Sequence, residues 1–257
     1  MIYSNFSTLK FTLLKFAKEK KHFSLLRLGD SEYTILSNKK KRTERFNRWF
    51  NVTKLPEYSK HILSLSNQIF RAYQHADFIG MPSFYQLRYL KFRNIEGFCR
   101  KNSIIATDKM IFDFNILPYF HAQGLIKELI CLYDKIILVT SRNVKEKFSE
   151  FFNVENVEQI LIPPESFIYL KYSNTIDEIV RNKNCVHYPD LFHNIRSKID
   201  KYRDTLFLVG AGGLGKIYCD LAKIRGNAAL DIGSLFDGWG GFITRPYLQK
   251  GIMKFKL

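Results

Sequence analysis

The chain has 257 residues, 46% of them hydrophobic, enough to bury a substantial core in a single α/β domain spanning residues 1–257. Its formal charge of +16 demands an anionic partner, yet no nucleic-acid motif accompanies the scattered bases, so specific nucleic-acid binding is not expected and a peripheral contact with anionic membrane lipid is preferred. Four cysteines without CxxC pairs argue against zinc and against a disulfide framework, and the N-terminal apolar patch, broken by Lys10 and Lys15, is too short and charged to span a bilayer, so the reading is cytoplasmic.

Residues 7–20 predict an amphipathic helix carried by Leu9, Leu13, Leu14, Phe16 and Ala17, within an N-terminal helical segment at 1–20. Phe23–Leu28 predicts the first strand, and it delivers Gly29-Asp30-Ser31-Glu32 where strand gives way to loop. Two carboxylates at i and i+2 suit a hard divalent cation that keeps positions free for diphosphate oxygens. The alternative at this point is a turn in which Asp30 or Ser31 caps the next helix. From Lys39 to Pro56 the chain is basic and aromatic without clear period, and a loop over the site is expected.

Tyr58–Tyr73 then predicts a helix, Ala76–Met81 a buried strand, and Ser83–Lys101 a further helix with Ser83 as N-cap. Met110–Tyr133 predicts one long helix or two short ones broken near Pro118, and Lys135–Thr140 a parallel strand followed by Ser141-Arg142-Asn143 opening a helix. Val157–Ile162 predicts another strand, stopped by Pro163-Pro164, which presents Glu165 and Ser166. A helix at Thr175–Asn182 and another, capped by Tyr188-Pro189-Asp190 and running to about Tyr202, complete the middle of the chain. The six histidines have neither metal-site nor triad spacing and are assigned structural or surface roles.

The segment Thr205–Trp239 organises the rest. Leu206–Val209 predicts a strand buried on both faces, Gly210, Gly212, Gly213 and Gly215 allow a sharp turn into a helix, and Ala228–Ile232 returns as a strand ending in Asp231-Ile232-Gly233-Ser234. The spacing Gly210-x-Gly212-x-x-Gly215 matches a dinucleotide fingerprint, although only 42 residues follow Gly215 where further βαβ turns are usual. Tight strand-to-helix packing is the plainer use of these glycines. Lys216 is placed to reach a phosphate at the helix start. The sum is about six parallel strands in a Rossmann-like, doubly wound sheet with helices on both faces.

Together, Arg27-x-Gly29-Asp30-x-Glu32 after the first strand and VGAGGLGK…LAKIRGNAALDIGS near the end resemble the GT-D-type bacterial glycosyltransferases. That resemblance implies a metal-dependent glycosyltransferase of polysaccharide biosynthesis, with Asp30 and Glu32 serving the metal, Mn²⁺ or Mg²⁺, and the sugar nucleotide. It implies a nucleotide-sugar donor, a UDP-sugar by preference, and a glycan, glycolipid or glycoprotein acceptor; a homodimer is compatible with it. Arg27, Gly29, the glycines 210, 212, 213 and 215, Lys216 and Glu165 form the expected donor-binding set. Asp231, Asp237 and Glu165 are the candidates for the general base. An NAD(P)-dependent oxidoreductase using the glycine turn, or a non-catalytic nucleotide- or nucleic-acid-binding protein, is the alternative.

Overall fold

The computed structural model describes residues 3–37, 46, 58–83, 86–88, 94–163, 187–242 and 244. Seven strands form one all-parallel sheet in the order β3-β2-β1-β7-β6-β4-β5. They are β1 Phe23–Arg27, β2 Phe78–Met81, β3 Met110–Asp113, β4 Ile136–Thr140, β5 Val157–Leu161, β6 Leu206–Gly210 and β7 Ala228–Asp231. The described helices are α1 Phe6–Lys18, α2 Asp30–Ser37, α3 Tyr58–His75, α4 Ile95–Lys101, α5 Leu117–Ala122, α6 Leu125–Ile130, α7 Lys145–Phe152, α8 Phe192–Ile199, α9 Gly212–Ile224 and α10 Leu235–Trp239. No helix among the described residues is long and apolar enough to cross a membrane.

Strand alternation divides the interior into two layers. Ile137, Val139, Phe207 and Val209 face one side with Ile69, Ala72 and Tyr73 of α3 and Leu214, Ile217 and Tyr218 of α9. Ile136, Leu138, Leu206 and Leu208 face the other with Leu9, Leu13 and Ala17 of α1, Phe148 of α7 and Trp239 of α10. Continuous apolar strands are what a sheet covered on both faces requires, because successive side chains enter opposite layers. Asn5 caps α1 by accepting from the Thr8 amide at 2.8 Å.

Three expectations need correction. Met110–Asp113 is a strand, not the start of a helix, and it raises the count from about six to seven. Three apolar residues followed by Asp113 have no length with which to distinguish a short buried strand from a helical turn, and here pairing with β2 decides. The helix expected over Ser83–Lys101 is, among the described residues, a short 3₁₀ turn at Gln86–Arg88 and α4 at Ile95–Lys101. Ser83 and Gln86 do exchange the reciprocal bonds of a cap, backbone amide to side-chain oxygen in both directions. After the turn at His187–Leu191, the helix expected to run to Tyr202 stops at Ile199. The loop at 39–56, apart from Phe46, and the helix at 175–182 lie outside the described residues.

The sheet fixes the site. β7 pairs in parallel with β1 on one side and with β6 on the other, so the loops following β1, β6 and β7 leave from one carboxyl edge. Arg27, Gly29, Asp30, Glu32, Gly210, Gly212 and Asp231 are thereby gathered on that edge.

Candidate active site

At the centre of the edge stands Lys216, in the first turns of α9 and 1% exposed. Its Nζ lies 2.6 Å from Asp231 Oδ2 and 3.1 Å from Glu32 Oε1, and donates to the Gly212 carbonyl at 3.3 Å. Arg27 approaches Asp231 from the other side: its backbone amide donates to Oδ2 at 3.3 Å, its Nη2 to Oδ1 at 3.5 Å, and its Nε lies 3.5 Å from Oδ2. Asp231 is 1% exposed, so both of its oxygens are committed inside the protein. Burial alone would raise its pKa, but Arg27 and Lys216 outweigh it and hold the carboxyl below the usual carboxylate range. Burial would likewise lower the Lys216 pKa; Asp231 and Glu32 reverse the sign, and the ammonium is held above its ordinary value.

Two glycines make this closeness possible. Gly233 has φ +48°, and a Cβ there would sit 1.8 Å from Arg27 Nη2. At Gly29 a Cβ would meet Glu32 Oε2 at 2.8 Å. Neither position admits a side chain without moving the charged group that packs on it. The Tyr73 hydroxyl, from α3, donates to the Arg27 carbonyl at 2.6 Å and ties the end of β1 to the helical layer.

Beside this cluster a pocket of about 70 Å³ opens between the ends of β4, β6 and β7, lined among others by Arg27, Thr140, Ser141, His187, Gly210, Gly212, Ser234 and Asp237. The α9 amino terminus forms one wall, and Ala211 at its N-cap makes no side-chain capping bond, which leaves first-turn amides for an anion. Gly213 and Gly215 are buried in the turns behind, with the Gly215 amide donating to Ala211. Asp237 faces the pocket from α10; its Oδ1 accepts from Arg142 Nε at 2.8 Å and its Oδ2 from the Thr244 hydroxyl. Arg142 is 3% exposed, stacks 4.0 Å from the Phe242 ring centroid, and keeps one buried guanidinium nitrogen, Nη2, without a hydrogen-bond partner among the described residues.

The family model described as a GT-D fold-like domain matches residues 7–239. The chain belongs to the GT-D fold-like family. A search of the curated proteins finds no match. Among solved structures, one described as "A New Glycosyltransferase (DUF1792) from Streptococcus sanguinis" is 16% identical, with 90% of this chain and 82% of that one covered at a TM-score of 0.50. Another, described as "The highly conserved domain of unknown function 1792 has a distinct glycosyltransferase fold", is 14% identical over 87% of this chain and 76% of that one, TM-score 0.47. At 16% identity the first of these likenesses shows the fold alone.

Most of the residues singled out in the sequence meet at this GT-D edge, but in two groups. Glu32, Lys216, Asp231 and Arg27 form the charged cluster, whereas Gly210, Gly212 and Asp237, joined by Arg27, line the pocket. Asp30 opens α2 at the same edge. Lys216 holds partners other than those expected of it, since its ammonium is spent on two carboxylates and a carbonyl instead of projecting toward a phosphate. Glu165 lies outside the described residues. Arg142 and His187 were not foreseen as site residues. Arg142 stands two residues after the end of β4, and that position was a usable signal for it. His187, read as structural or surface, is buried with its Nε2 2.8 Å from the Tyr218 hydroxyl, and burial pushes its pKa down to about 3. It is therefore neutral at physiological pH and lines the pocket as a polar, uncharged group.

Proposed function

We propose that the chain is a glycosyltransferase that takes a sugar from a nucleotide-sugar donor, a UDP-sugar by preference, and passes it to a glycan, glycolipid or glycoprotein acceptor. The observation that carries this reading is the convergence of the post-β1 carboxylate pair with Arg27, Asp231 and the open amino terminus of α9 at one sheet edge, in a chain of the GT-D fold-like family. Departure of a nucleoside diphosphate concentrates negative charge on the leaving oxygens, and stabilisation comes from fixed donors aimed where that charge develops. Arg27 and the first amides of α9 flank the pocket and are the groups of this chain suited to that task.

Asp30 and Glu32, expected in a loop, lie in the first turn of helix α2, where positions two apart leave the helix on different sides, so their match to a divalent ion is one of donor type: both are hard oxygen ligands, and Mg²⁺ or Mn²⁺ is commonly held by one or two carboxylates plus substrate phosphate. Glu32 Oε2 is not in the Lys216 pair, which uses Oε1. Bound there, the ion would neutralise charge on the diphosphate. Of the two base candidates among the described residues, Asp237 is the better placed because it faces the pocket, while Asp231 is enclosed and stabilised as an anion. Arg142 orients the Asp237 carboxylate from behind. A peripheral membrane contact, supported by the net charge of +16, would bring the site to a lipid-linked acceptor.

The oxidoreductase alternative loses support at Asp231. A dinucleotide site uses an acidic residue about 20 positions after its first glycine to bind the ribose hydroxyls. The residue at that distance from Gly210 is Asp231, whose carboxylate is 1% exposed and engaged by Lys216 and Arg27. Thermal denaturation against a panel of UDP-, GDP- and dTDP-sugars with Mn²⁺, alongside NADH and NADPH, tests the choice. Stabilisation by a nucleotide sugar is expected; stabilisation by a nicotinamide nucleotide alone would overturn the reading.

A further inference from the structure

Lys216 has spent its whole donor capacity inside the protein. An ammonium offers three N–H groups, and this one has three acceptors in range: Asp231 Oδ2 at 2.6 Å, Glu32 Oε1 at 3.1 Å and the Gly212 carbonyl at 3.3 Å. Two of those acceptors hold it in place independently of Glu32, since Gly212 is one helical turn away on α9 and Asp231 ends the neighbouring strand β7. The side chain is 1% exposed, so solvent does little to screen its charge from its neighbours. Glu32 and Asp231 supply two negative charges to the cluster, and Lys216 and Arg27 supply two positive ones. A carboxylate that a metal needs as an anion is thus already neutralised by a cation that the fold does not let go.

We propose that Lys216 is a built-in counter-cation that competes with a divalent ion for Glu32 and thereby keeps the metal affinity of the bare site low. A metal ion at Glu32 shares the carboxylate with an ammonium 3.1 Å from Oε1 and feels its repulsion across a poorly screened gap. The diphosphate of a donor brings compensating negative charge, so the ion is held firmly only when the donor is present. Binding of metal and donor is then coupled through the lysine, and each raises the affinity of the other.

This inference rests on the reading of Asp30 and Glu32 as metal ligands, but its test uses Mn²⁺ alone and no sugar donor. The glycosyltransferase assignment can therefore fail without it, and the reverse. Mn²⁺ binding is measured by calorimetry and by electron paramagnetic resonance of the free ion, on the full chain. Lys216→Met keeps the aliphatic stem and removes the charge. It is expected to bind Mn²⁺ at least about tenfold more tightly than the parent, and Glu32→Gln in the same background is expected to abolish the gain. If Lys216→Met does not fold, Lys216→Met with Asp231→Asn removes one charge of each sign and is compared with the parent by the same criteria. Parental or weaker Mn²⁺ affinity in the folded variant, or a gain that survives Glu32→Gln, would overturn the proposal.

Discussion

Replacing Asp231 by Asn tests whether the charged cluster is as tightly built as its distances imply. The substitution nearly preserves shape, yet it takes the anion from between Lys216 at 2.6 Å and Arg27 at 3.5 Å, at a position 1% exposed. Lys216 would keep Glu32 as its single anionic partner, and Arg27 would face a neutral amide. Removing one member of a buried ion pair costs about 3–5 kcal/mol, and Asp231 serves two cations at once. For a chain of 257 residues, at about 2–4 °C per kcal/mol, the melting temperature should fall by roughly 6–20 °C. The effect carries a pH signature. The Asp231 carboxyl is held below the usual range in the folded state, so its stabilising contribution is present above the unfolded carboxylate pKa of about 3.9 and disappears as pH falls through the folded value. The stability gap between parent and Asp231→Asn should be constant near neutrality and narrow below about pH 4. Thermal and urea denaturation across pH 3–8 measures both quantities. A loss under about 1 kcal/mol at pH 7, or a gap that widens in acid, would refute the description of this network.

Gly233→Ala should destabilise by about 1–3 kcal/mol in denaturant titrations, since it combines a left-handed backbone with a Cβ 1.8 Å from Arg27 Nη2, and it should weaken nucleotide-sugar binding by displacing that guanidinium. An unchanged donor Kd would show that Arg27 does not contact the donor. Asp237→Asn should lower stability, since it takes the carboxylate from the buried Arg142, and in the folded variant it should lower turnover by at least about a hundredfold with little change in KM, as loss of a general base requires; a change confined to KM would make Asp237 a binding residue. Arg142→Lys, which cannot reproduce the Nε contact to Asp237 or the stacking on Phe242, should lower turnover by at least about tenfold with little change in KM, and an unchanged kcat would remove Arg142 from the positioning of Asp237.

The parts of the fold that were legible in the sequence are those where composition alone decides. Leu206–Val209 and Ile136–Val139 are apolar at every position because both faces of the sheet are covered, and such runs identify themselves. Met110–Asp113 did not, since four residues followed at once by a helical pattern carry no period of their own; strand pairing with β2 is a non-local fact. The same limit applies to the site. Asp30, Glu32, Lys216 and Asp231 were visible as strand-end residues, but spacing along the chain says nothing about which charge meets which. Lys216 sits one helical turn beyond Gly212 and so points back over the strand ends, and the neighbouring positions of β1 and β7 bring Glu32 and Asp231 to it. An ammonium that looked available for phosphate is enclosed by carboxylates 184 and 15 positions away in sequence. Arg142 shows the opposite case, a residue on the correct strand end that lacked any surrounding motif.

The central claim is that this edge transfers sugar from a nucleotide with the post-β1 carboxylates as its metal ligands, and turnover of the stabilising nucleotide sugar, followed as nucleoside diphosphate release, tests it most directly. The parent should be active with Mn²⁺ or Mg²⁺ and silent with EDTA, and a folded Asp30→Asn, Glu32→Gln double variant should lose activity by orders of magnitude, because an amide still serves a turn or cap but is a poor ligand for a hard cation. A double variant that releases nucleoside diphosphate at the parental rate, or a parent indifferent to EDTA, would contradict the account and leave the GT-D likeness as one of fold.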